Sequence, residues 1–125
     1  MAKLTFEELL EEYKTCVIAT YDIDYADKSS VKRSNEAVAK MIKISKYLGE
    51  EYPSRIYDFA ELLDNTDFRI DIWAAHHILE NMNYPSELES KALDIIIKYS
   101  KEDSAEGLGN RMWLENWYKE KNSIQ

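Results

Sequence analysis

Long apolar runs are missing from this 125-residue chain. No stretch of about 18 consecutive apolar residues occurs, so nothing reads as a membrane-spanning helix. Met1 to Glu8 has neither an apolar core nor a cleavage signal, so no secretory leader is expected. The single cysteine, Cys16, cannot form an internal disulfide, which fits a reducing cytoplasm. Three glycines and two prolines leave few helix breakers, and helix-forming residues dominate. Basic residues are outnumbered 16 to 24, giving a net charge of −8. Such a balance argues against nucleic acid as the direct ligand, since phosphate binding needs clustered Lys and Arg, and it is ill suited to an anionic membrane surface. It permits a basic protein partner, steered in by the field.

Helical periodicity is what the sequence has. Thr5 and Glu8 form a capping box ahead of a first helix with Phe6, Leu9, Leu10, Tyr13, Val17 and Thr20 on one face. Cys16 reads as a small apolar packing residue. Residues 26–34 read as a polar connector, and Ser34 or Asn35 as the cap of a second helix ended by Gly49. Its apolar face is Val38, Met41, Ile42, Ser45 and Leu48. Pro53 and Ser54 open a third helix with Ile56, Phe59, Ala60 and Leu63 inward. A fourth runs to about Met82. Ser86 and Glu89 form a second capping box for a fifth, which buries Leu88, Ala92, Ile95, Ile96 and Tyr99. The sixth begins near Ser104 and carries Leu108, Met112, Trp113, Leu114 and Trp117; Gly107 and Gly109 inside it suggest close backbone packing. From Lys119 the tail is polar and expected to be loose. The only β-like run, Asp94 to Tyr99, sits in a helical frame.

The reading is one all-α domain, residues 1–125, of about six helices: an N-terminal helix and connector (1–34), repeat-like helices (35–121) and a short tail (122–125). The second helix is expected to pair with the third and the fourth with the fifth, with the sixth as a cap.

Leu62 to Met82 organises the chain. Leu62, Leu63 and Asp64 close one helix. Asp67 is placed to cap the next, and Ile70, Trp73, Ala74, His77 and Ile78 share a face. With Asp71, Ala75 and Leu79 this stretch resembles the HEAT-type helical repeat. Asp71 stands where that repeat usually has Arg, and Arg69 lies two residues earlier. With the acidic first helix and the Trp-rich last one, the chain resembles a HEAT-like family of small bacterial proteins of unknown function, some of that general kind being toxin-immunity proteins. The resemblance implies a helical surface that holds a partner.

Catalytic patterns are sparse. His76 and His77 are adjacent, so they point about 100° apart on a helix. His76 and Glu80 supply two ligands for a small metal-dependent hydrolase, the alternative enzymatic reading, but no third histidine is spaced with them. The Gly107–Asn110 run lacks the Lys-Ser/Thr ending of a phosphate loop. No catalytic residue, metal or cofactor is expected.

Charge is unevenly spread. Residues 51–90 hold nine carboxylates against two arginines, near −7, whereas residues 31–50 hold five basic residues against two acids, near +3. Glu61, Asp64, Asp67 and Asp71 cluster about one inter-helix turn. With Tyr57 or Tyr25 as apolar anchors, these are the expected partner-binding residues. The functional expectation is an immunity protein that neutralises a basic toxin domain, with a nuclease as a natural target. A non-toxin regulatory adaptor is the alternative within the same class.

Overall fold

The computed structural model describes residues 4–21 and 23–123, and among them the regular structure is helical, with no strand. The six helices are α1 (Phe6–Tyr21), α2 (Lys28–Glu51), α3 (Ile56–Ala60), α4 (Ile70–Asn81), α5 (Ser86–Ser100) and α6 (Ala105–Ser123). Single 3₁₀ turns at Pro53–Arg55, Glu61–Asp64 and Asp67–Arg69 flank or join the short third helix.

The first capping box forms as the sequence predicts. Glu8 N–H donates to Thr5 Oγ1 at 3.1 Å, and Thr5 N–H donates to the Glu8 carboxylate at 3.0 Å. Phe6, Leu9, Tyr13, Cys16 and Val17 face inward from it.

Several boundaries differ from expectation. Helix α2 starts at Lys28, where Asp27 accepts from Ser29 N–H at 2.9 Å, so most of the expected connector is helical. Its early turns are polar because much of their surface is solvated, and a solvated turn without an apolar period looks like a loop. The helix passes through Gly49 and stops before Pro53. A Cβ at Gly49 would meet the Asn81 carbonyl at 3.0 Å and Met82 Cγ at 3.3 Å, so the glycine permits close approach to the end of α4. The buried face includes Ala37, Met41, Ile44, Ser45 and Leu48, while Ile42 is exposed.

Asp67 does not cap α4. Phe68 and Arg69 intervene with φ of 53° and 62°, and Arg69, in the left-handed region, is the residue before the helix. The Ser86–Glu89 box also fails, because Ser86 is already helical and the Pro85 carbonyl accepts from Leu88 and Glu89 N–H. Ser104 does cap α6, accepting from Gly107 N–H at 3.1 Å. Helix α6 continues to Ser123, so residues 119–123 are not a loose tail; positions 124 and 125 lie outside the described residues.

Helix α4 is buried nearly all round, with Ile70, Ile72, Ala74, Ala75, His77, Ile78 and Leu79 in the core. Packing pairs α1 with α2, α4 with α5 and α5 with α6. The N-terminal helix is therefore part of the central packing and not an appendage, and α2 takes it as neighbour in place of the broken third helix.

Candidate functional site

Among the described residues, an open groove of about 1040 Å³ has α4 as its floor. Ile72, Trp73 and His76 line that floor. The end of α1, Tyr25 and the first half of α2 form one bank; Glu102–Ser104 and the start of α6 form the other. The tertiary fold gathers Tyr21, Tyr25, Phe68, Trp73 and Trp113 here from three separate stretches of chain.

Each aromatic is held from a different side. Phe68 meets Tyr21 edge to face, with ring centres 5.3 Å apart, because the left-handed Phe68–Arg69 pair turns the chain back toward α1. Trp113 stacks on Trp117 at 5.2 Å and presents its other contact to His76 at 4.8 Å. His76 Nε2 lies 2.7 Å from Asn110 Oδ1, which requires the proton on Nε2 for the amide oxygen to accept. Burial holds His76 below its ordinary pKa, against the Asn110 hydrogen bond and the charge of Glu80. Gly109 opens the α6 bank: a Cβ there would meet nothing within 4 Å.

The groove is acidic. Glu102, Asp103 and Glu106 line it, while Arg69 is the one Lys or Arg among its lining residues. Arg69 is already committed, donating to Glu102 at 2.6 Å with its guanidinium 4.7 Å from the Tyr99 ring centre. That pairing, led by the Glu102 hydrogen bond, raises the guanidinium pKa further. Lys28 and Lys32 line an adjoining shallow depression on α2 that shares Tyr25, Val31 and Asn35 with the groove, so the acidic side of the groove is its α6 bank.

The expected acidic strip is not continuous. Asp71 is 1% exposed and accepts from Tyr99 at 2.7 Å and Ile72 N–H at 3.0 Å. It is a core hydrogen-bond acceptor and cannot be a partner contact, because helical register in α4 turns it inward. Asp64 is exposed but paired with Lys91 of α5 at 2.9 Å. Glu61 and Asp67 are exposed with uncommitted side-chain carboxylates. Tyr57 is exposed and bonds Glu87, one turn from Lys91. Tyr25, 76% exposed, sits instead at the groove. The six expected contacts are thus dispersed: Asp64 and Tyr57 meet α5, Asp71 lies in the core, Tyr25 is at the groove, and Glu61 and Asp67 stand exposed outside it.

His77 is buried, and its Nδ1 lies 2.6 Å from the Tyr13 hydroxyl, which donates to it. Burial keeps that phenol well above its ordinary pKa and so protonated. His76 Nδ1 is 3.9 Å from Glu80, and no group of three His, Cys, Asp or Glu side chains able to hold a metal ion occurs among the described residues. Burial raises the Cys16 thiol pKa.

Nine tyrosines and three tryptophans are plain in the sequence, but composition does not locate them. Gly109 in a helix and Phe68 ahead of one were the local signals of the groove.

Comparison with family models, with curated proteins and with solved structures finds no match for the chain in any of the three.

Proposed function

We propose that this protein acts by binding another protein, as an immunity-type inhibitor that covers a basic surface of a cognate toxin domain. The observation that carries the reading is the aromatic-lined groove whose only Lys or Arg is already paired. Exposed aromatics supply interface affinity, and an excess of carboxylates on a chain of charge −8 sets association rate and partner choice. A nuclease suits such a surface, because an active site built to attract phosphate also attracts carboxylates. We further propose that the fold is HEAT-like at its centre. Supporting this, Leu62 and Leu63 are buried, and Ala74 and Ala75 are fully enclosed where neighbouring helices approach. A cytoplasmic site of action accords with this reading; no helix among the described residues is long and apolar enough to cross a membrane.

The test is capture on tagged protein from host lysate, washed at about 0.05 M and then about 0.5 M salt, where the Debye length is roughly 4 Å. The expected survivor is one basic protein whose own activity disappears when it is saturated with this one. A survivor that keeps full activity when saturated makes the adaptor reading the better one. A survivor that is itself acidic removes the charge argument.

A further inference from the structure

The groove has walls of two kinds that favour one sort of occupant. Its lining is aromatic, with the half-buried Trp73 on the α4 floor, Tyr25 on the α2 bank and the half-buried Trp113 on the α6 bank. Its rim at the start of α6 is acidic, and Asp103 and Glu106 form no salt bridge there, while Arg69 is held by Glu102. A flat cation satisfies both: guanidinium groups stack on aromatic faces and donate to carboxylates in the same plane. The molecule already uses this pairing internally, with Arg69 over Tyr99 and Arg55 4.1 Å from the Phe6 ring centre.

We infer that this groove receives an extended, arginine-bearing segment of the partner protein, stacked against Trp73 and Trp113 with its charge met by Asp103 and Glu106. The inference rests on the protein-binding reading above and adds where the partner docks and by which residue type. It also moves the principal contact away from Glu61 and Asp67.

The experiment uses acetylated, amidated nona-arginine as probe on the full chain at 0.15 M salt. Binding is followed by amide and indole NMR shifts and by Trp fluorescence. Because any acidic protein attracts this probe, two comparisons at matched charge decide the matter. Gly109→Trp sets a bulky side chain into the groove lining without altering charge, at a position where an added Cβ meets nothing within 4 Å. Asp103→Asn with Glu106→Gln removes two charges at the groove; Glu61→Gln with Asp67→Asn removes two elsewhere. The expected result is shifts at Trp73, Gly109 and Trp113, with Kd raised at least tenfold by Gly109→Trp and by the groove pair, and less than threefold by the other pair. Nona-lysine should bind more weakly than nona-arginine. Equal loss in the two charge pairs, or unchanged binding in Gly109→Trp, overturns the inference. So does concentration-dependent shifting of the groove signals without peptide, which assigns the groove to a second copy of the chain. Each of these failures is distinguishable from failure of the inhibitor reading, since the capture experiment uses the unaltered protein and reads partner activity.

Discussion

The Tyr99 hydroxyl donates a 2.7 Å hydrogen bond to the carboxylate of Asp71, joining the end of α5 to the buried first turn of α4. The same Asp71 oxygen accepts from Ile72 N–H at 3.0 Å. Burial first, and then the bond to Asp71, raise the Tyr99 pKa far enough that the phenol remains a donor at any ordinary pH. Tyr99→Phe leaves that buried oxygen with one backbone donor. Stability should fall by about 1–3 kcal/mol, measured by urea unfolding. An unchanged midpoint would mean that the carboxylate does not depend on the phenol.

His77 makes the fold acid-sensitive. Burial, and then the neighbouring charge of His76, push its pKa down to about 4. In the unfolded chain the value is about 6.5, so between the two the unfolded state binds the extra proton. The stabilisation from keeping His77 neutral is complete above about pH 6.5 and is lost as pH falls toward about 4, roughly 3 kcal/mol in all. His77→Gln keeps an acceptor for Tyr13 and should flatten the decline across this window. Equal slopes in the two proteins would locate the sensitivity in other groups.

Gly107 and Gly109, two residues apart in α6, should respond with opposite signs. A Cβ at Gly107 would stand 2.0 Å from the Glu102 carbonyl oxygen, a backbone atom that Arg111 also holds at 3.2 Å. Gly107→Ala should therefore cost about 1–3 kcal/mol or more through backbone displacement. Gly109→Ala meets nothing and should gain about 0.5–1 kcal/mol by helix propensity. Thermal melts of the two variants would show it; a stable Gly107→Ala would contradict the close turn.

Phe68 holds a left-handed conformation that a bulky residue adopts at a cost of order 1–3 kcal/mol. Asparagine tolerates that conformation better. Phe68→Asn should leave stability within about 1 kcal/mol, because relief of strain offsets the lost Tyr21 contact. Nona-arginine affinity should nonetheless drop. A large destabilisation would make Phe68 a packing residue first.

Much of the fold was legible before any coordinates. Thr5 and Glu8 announced the first helix through chemistry confined to one turn, and Phe6, Leu9, Tyr13 and Val17 gave its inner face by spacing. Ala74, Ala75 and Ile78 marked α4 as a packing centre, and the scarcity of glycine and proline fixed an all-α class. These features are set by neighbours three or four positions away, which the sequence lists directly.

Position on a surface is different, because it depends on residues far apart in the chain. Asp71 looked like the continuation of Asp64 and Asp67, yet α4 is enclosed on nearly every side and Tyr99 reaches it from 28 residues away. Asp64 was a free charge until Lys91 on α5 came beside it. The polar run after Asp27 resembled a connector because its solvated surface carries no apolar period. Tyr25 and Trp113 share one groove only because α2 and α6 flank the same central helix. Sequence by itself determined the all-α class, the number of helices and most of their apolar faces; the tertiary packing decided which charges are buried or paired and where the aromatics converge, since those follow from contacts between segments that local spacing does not encode.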